Sequence, residues 1–160
     1  MKNKVLAFIC AIVVCLMSTI SCAADRLLPN LKKQEGLTTV YIGKTLLRMA
    51  GGRTVVSATA GVVDMDDIVK YLNSVEIVNA DTSESVAYLR PIMKNAMAAV
   101  NGLNLSMEVN DEDSEVKIYT VSGSSDDKLS RILLVVTEKD EITLIDMQGD
   151  IPSGALEDMM

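Results

Sequence analysis

Two short runs in this chain carry reactive groups at spacings that enzymes use. Ser125-Asp126-Asp127-Lys128 has the Ser-x-x-Lys spacing that sets a serine nucleophile beside a lysine in penicillin-binding enzymes. That chemistry needs its serine at the start of a buried helix, with Ser-Asp-Asn and Lys-Thr-Gly partners elsewhere. Neither partner run occurs, and the Ser, Asp and Gly residues around Ser125 read as a polar hairpin turn. Gly43-Lys44-Thr45 has the ending of a phosphate-binding loop, whose cradle needs another glycine five residues before Gly43. Thr38 stands there, and the nearest glycine, Gly36, lies seven before, so the run reads as a strand-to-helix turn. The acids Glu108, Asp111, Glu112, Asp113 and Glu115 suggest calcium. An EF-hand loop counted from Asp111 would need Gly and Glu where Val116 and Ser122 stand, which leaves a solvated acidic turn.

Absent residue types narrow the chemistry further. There is no histidine in the chain, which removes Ser-His-Asp and Cys-His catalysis and histidine-ligated zinc or haem. A pair of carboxylates could still do acid–base work, but 22 acids give no basis for choosing a pair. The aromatics outside the leader are Tyr41, Tyr71, Tyr88 and Tyr119. That is little platform for stacking sugars or bases. No catalytic residue, metal ligand or cofactor-binding residue is therefore assigned, and no cofactor is expected.

The three cysteines all fall within the first 22 residues. Met1-Lys2-Asn3-Lys4 precedes an apolar run from Val5 to Met17, and Ser18-Thr19-Ile20-Ser21-Cys22-Ala23-Ala24 follows. A basic start, a short apolar stretch and small residues make an export signal. The apolar run has 13 residues, too few for a spanning helix of roughly 20. Two processing routes fit. Cleavage after Ala23 or Ala24 would release a soluble protein. Cleavage before Cys22 would make a lipoprotein with diacylglycerol on that thiol, and Thr19-Ile20-Ser21-Cys22 matches a lipobox at Ser21 and Cys22, with Thr19 where leucine is usual. The lipoprotein route gives Cys22 a reason to stand there. The expected location is the periplasm or outer membrane of a Gram-negative bacterium, with a membrane as partner through Cys22.

The expected organisation is a signal peptide over 1–21, a tether over 22–36 and one domain over 37–160. Removing Lys2 and Lys4 from the 15 basic residues leaves 13 against 22 acids, a net −9, which disfavours nucleic acid as a partner. The charge is uneven. Arg26, Lys32, Lys33, Lys44, Arg48 and Arg53 face only Glu35 between Arg26 and Arg53, and seven bases face twenty acids from Thr54 onward. The basic stretch would either meet anionic headgroups or dock on the acidic remainder of its own domain.

The elements follow from hydrophobic spacing. Leu37 to Ile42 is β-branched and aromatic, a strand. Lys44 to Ala50 suits a short helix stopped by Gly51-Gly52. Asp64-Met65-Asp66-Asp67 opens a short helix through about Leu72, and Ser74 to Asn79 alternates as a strand. Thr54 to Val63 fits a loose strand or a loop equally. Asp81 with Glu84 three residues on resembles a helix cap. The helix that follows puts Val86, Leu89, Met93, Met97 and Val100 on one face, and Pro91 either kinks it or starts a second helix. Four strands then succeed one another from Leu103 to Met147 with short polar links, the pattern of an antiparallel meander. The expected fold class is α+β, an antiparallel sheet ending in a four-stranded meander with the helices packed on one face.

Three features together resemble a known family. They are Thr39-Val40-Tyr41-Ile42 running into Lys44-Thr45-Leu46-Leu47, the strand Val75-Glu76-Ile77-Val78 before the long helix, and Val116-Lys117-Ile118-Tyr119 with Ile132-Leu133-Leu134-Val135, followed by Ile142-Thr143-Leu144-Ile145 and Gly149-Asp150-Ile151. The chain resembles the bacterial domain of unknown function 4252 family over about residues 30–158. The resemblance implies a small exported, often lipoprotein-like protein. It implies no activity and carries no site residue. The function expected is a non-enzymatic, protein-binding envelope lipoprotein that meets an unknown envelope protein through an edge or face left by its last strands. The alternatives are a carboxylate-dependent envelope hydrolase and a small-ligand or lipid carrier.

Overall fold

The computed structural model describes residues 26–50 and 68–155. Six strands form one antiparallel sheet. They are β1 (Leu37–Gly43), β2 (Leu72–Ala80), β3 (Asn104–Asn110), β4 (Ser114–Ser122), β5 (Lys128–Glu138) and β6 (Ile142–Pro152), in spatial order β1-β2-β6-β5-β4-β3. The meander expected after the long helix is present as β3 to β6. Strand β6 then pairs with β2 along nearly its whole length, which joins the meander to the first two strands. Helix α1 (Lys44–Ala50) continues from β1, helix α2 (Ser83–Ala98) connects β2 to β3, and a 3-10 turn (Val69–Tyr71) leads into β2.

The central strands β2, β6 and β5 are buried on both faces, and the helices take opposite sides. On one face Leu47 of α1 joins Ile42, Val75, Ile77, Ile132 and Ile145. On the other, Val86 and Leu89 of α2 join Val78, Ala80, Leu133 and Leu144. Successive side chains of a strand point to opposite faces, so Val75 and Ile77 lie across the sheet from Val78. This departs from the expectation of both helices on one face. The physical reason is visible in Ile132-Leu133-Leu134-Val135, which is apolar at every position rather than every second one and is buried throughout. A strand that alternates strictly has one wet face; this one has none.

Several local expectations are refined. Helix α2 is capped by Thr82, not Asp81. The Thr82 hydroxyl accepts from the Ser85 backbone N–H, and the Ser85 hydroxyl accepts from the Thr82 N–H. Asp81 lies one residue before the cap, and its N–H donates to the Gly36 carbonyl at 2.9 Å. Gly36 has φ +72°, a conformation that favours glycine, and a Cβ there would come within 2.5 Å of the Thr82 hydroxyl oxygen. The helix runs through exposed Pro91 as one element, keeping Met93, Met97 and Val100 against the core. Of the expected helix from Asp64, Val69–Tyr71 is a 3-10 turn and Leu72 already belongs to β2, while Asp64 to Asp67 lie outside the described residues. Thr54 to Val63 also lie outside them. The segment from Arg26 to Gly36, expected as part of a tether, lies against the sheet, with Leu27 and Leu28 buried in the core under α2.

Candidate functional site

The α2 face of the sheet is divided. Under the first turns of α2 it is apolar, with Val78, Ala80, Ile142 and Leu144. Beyond them lie four charges, two on the same strands, one on β5 and one in the segment before β1. Glu76 on β2 and Asp146 on β6 are direct cross-strand partners, 2 % and 1 % exposed. Each carboxylate is held by an arginine. Arg26 brings Nε to 3.0 Å and Nη2 to 2.9 Å from Glu76 Oε1, and the Leu28 backbone N–H donates to Oε2. Arg131 on β5 donates from Nε and Nη2 to the two oxygens of Asp146, at 2.9 and 3.2 Å. Gln148 adds a third donor to Asp146 at 2.9 Å.

This satisfies a strict requirement. A buried carboxylate without donors is costly, and a bidentate guanidinium is the strongest partner available to it. The Arg26 guanidinium also lies 4.9 Å from the centre of the Tyr41 ring, and Tyr41 is the β1 partner of Glu76 in the same register. Arg26 is thus held between an aromatic face and a carboxylate. Burial pushes the Asp146 carboxyl above its ordinary value of 3.8; Arg131 and Gln148 pull it down, and Glu76 raises it again.

A cavity of about 530 Å³ opens beside this array, between the last turn of α2 and the sheet. Ala96, Ala99 and Val100 form its roof, Val121 and Leu27 its apolar walls, and Arg26, Ser130, Arg131 and Gln148 its polar floor. Arg26 and Arg131 line the cavity. Glu76 and Asp146 do not line it.

The residues singled out in the sequence lie elsewhere. Gly43 ends β1 and Lys44 starts α1, the strand-to-helix turn expected. In the β4–β5 turn the Ser125 hydroxyl donates to Asp127 at 2.6 Å, which holds the Asp127 carboxyl below its ordinary value. Lys128 turns away to Asp150, at 2.7 Å, and that pair raises the lysine. No serine–lysine pair forms there. Lys117 lies between Glu108 and Glu115, at 3.4 and 2.8 Å. Among the described residues no three carboxylates or cysteines converge as metal ligands would. Cys22, the lipidation candidate, lies outside the described residues.

The four-charge array was not foreseen. Its signal was present as Glu76 between Val75 and Ile77 and Asp146 between Ile145 and Met147, acids with apolar neighbours on both sides, and as an arginine in a segment read as tether.

The fold and this face define a class: a small α+β domain with an antiparallel sheet whose central strands are covered on both sides, and a paired charge array under one helix. The chain belongs to the family described as domain of unknown function (DUF4252), whose pattern matches residues 31–159. Comparison with curated proteins and with solved structures finds no match to either.

Proposed function

We propose that this is an exported, non-enzymatic binding protein of the bacterial cell envelope, anchored through lipid on Cys22, that takes an extended segment of a partner protein along the free edge of β1. The observation that carries this reading is the contrast between the two edges of the sheet. Strand β3 is a guarded edge. A bulge between Leu105 and Met107 breaks its register, and Glu108 places a charge on it beside Lys117. Bulges and charges are the means by which natural sheets block unwanted pairing. Strand β1 has neither. Leu37-Thr38-Thr39-Val40-Tyr41-Ile42-Gly43 pairs with β2 residue for residue without a bulge, holds no charged residue or proline, and leaves Thr38 and Thr39 exposed. Among the described residues nothing pairs with its outer side. Strand addition draws its affinity from such unpaired backbone groups.

The non-enzymatic reading is supported by the condition of the buried carboxylate pair. Every oxygen of Glu76 and Asp146 accepts a hydrogen bond, and neither residue lines the cavity. A general acid or base must reach the proton it moves. Helices among the described residues are too short or too polar to cross a membrane, so attachment rests on Cys22 in this reading.

A photo-reactive residue placed at Thr39 and, as control, at Ser106 on β3 tests the proposal in cells. A partner adduct is expected at position 39 and not at 106. It should disappear when Thr38 is also replaced by lysine. Equal labelling at both edges, or no adduct at 39 under several growth conditions, would overturn the reading. Intact mass of the membrane-extracted N-terminus checks the anchor, since diacylglycerol on Cys22 is required.

A further inference from the structure

We infer that the cavity under the last turn of α2 is a binding site for a small soluble organic anion, a carboxylate or phosphate head on a short apolar body. Three observations carry it. The first is size: about 530 Å³ falls within the range of small-molecule pockets. The second is the orientation of the charges. Among the described lining residues both charged groups are arginines, while the carboxylates that neutralise them lie beneath, out of the cavity. The array therefore presents arginines, and not carboxylates, to the cavity. The third is availability. Arg26 commits Nε and Nη2 to Glu76, its Nη1 has no bonded partner among the described residues, and the side chain is 32 % exposed.

The rest of the lining fits the body of such a ligand. Leu27, Ala96, Val100 and Val121 give the cavity apolar lining beside its polar groups. A guanidinium fork matches carboxylate and phosphate geometry and is already fixed by its buried partner, so little ordering remains on binding. One feature opposes an anion. The C-terminal turn of α2 brings partial negative charge to the rim, about half an elementary charge. The carbonyls of Asn95, Ala96 and Met97 are bonded by the Ala99 and Val100 N–H groups, which reduces that effect. This site is separate from the β1 edge, and either could fail without the other.

The test is nuclear magnetic resonance titration of the purified protein with hexanoate, hexyl phosphate, inorganic phosphate and hexyltrimethylammonium. Hexanoate or hexyl phosphate should shift Ala96, Val100 and Val121 saturably, with a Kd of about 1 mM or tighter. The ammonium should not, and inorganic phosphate should bind more weakly than hexyl phosphate. Replacing Arg26 and Glu76 together by glutamine keeps a neutral pair and should weaken anion binding about tenfold. Ala99→Phe, which fills the rim from an exposed position, should abolish it with the array intact. Equal response to the cation, no saturable shift with either anion, or binding seen only with anionic lipid vesicles would each overturn the inference.

Discussion

Replacing Arg131 by methionine should cost the fold more than any surface change, and removing Asp146 as well should restore most of the loss. The Arg131 side chain is 11 % exposed and the Asp146 side chain 0 %. At 2.9 Å and an effective dielectric of about 20, the gross attraction is roughly 6 kcal/mol. Most of that is offset by taking both ions out of water, so the intact pair contributes little net stability. The asymmetry appears when one partner goes. Arg131→Met leaves a buried carboxylate with Gln148 as its remaining side-chain donor, and the expected loss is about 3 to 5 kcal/mol. A domain of this kind has only about 5 to 15 kcal/mol in total. Asp146→Leu removes the buried anion beside the Arg131 guanidinium and should cost about 3 kcal/mol. The double variant should lie within about 1 kcal/mol of the parent, because two apolar residues pack where two ions sat. Urea unfolding monitored by circular dichroism reads all four proteins. With an m-value of about 2 kcal/mol/M, the Arg131→Met midpoint falls by about 2 M. Single losses below about 1 kcal/mol that add in the double variant would refute the reasoning, since the four-charge array would then be exchanging freely with water.

Two further perturbations follow from the same geometry. Gly149→Ala should destabilise by about 2 kcal/mol or more in the same urea assay, because a Cβ there would meet the Tyr71 carbonyl oxygen and lie 2.8 Å from the Leu72 Cα, both backbone atoms that cannot swing aside; a loss under about 0.5 kcal/mol would show that the β2 bulge beside it shifts easily. The Asp146 carboxyl, raised chiefly by burial, should titrate above 3.8 when followed by its carboxyl carbon resonance. With the folded value above the unfolded one, this residue's contribution is fully present below the unfolded value and is lost as pH rises through the folded one. Acidification therefore removes no stability through Asp146, and a midpoint at or below 3.8 would contradict the burial argument.

Much of the architecture was legible because it depends on local spacing. Turn chemistry at Asn101-Gly102, Asn110 to Ser114 and Ser122 to Asp127 marked the links of the meander, and the i, i+3, i+4 spacing from Val86 to Val100 marked the buried face of α2. Sidedness was less legible. Ser74 to Asn79 alternates in polarity, which suggests that Glu76 meets water. In the fold both faces are covered, and Glu76 is 2 % exposed. Nothing local shows that an arginine 50 residues earlier and an aspartate 70 residues later will meet it. That information lies in strand order, which places β6 between β2 and β5 and so sets Asp146 beside Glu76 with Arg131 one strand further on.

The same strand order bears on why the charges are there. A sheet this apolar would be at least as stable with leucine or methionine at all four positions. What the array does, and hydrophobic packing would not, is fix direction. Arg26 binds one oxygen of Glu76 and the Leu28 N–H the other, so two points tie the segment before β1 to the sheet. That attachment puts Leu27 against α2 and brings Arg26 to the cavity floor. On the reading that Cys22 carries lipid, three residues lie between the anchor and this clamp, a reach of about 14 Å over four residue steps at full extension. The protein would then hold its cavity at the membrane surface while β1, which starts eleven residues after Arg26, offers its edge to a partner. On that reading one ion pair sets the anchor, the cavity and the edge, and the Arg26–Glu76 neutral variant separates them: an edge that still labels beside a cavity that no longer binds anions would show that the clamp serves the cavity alone.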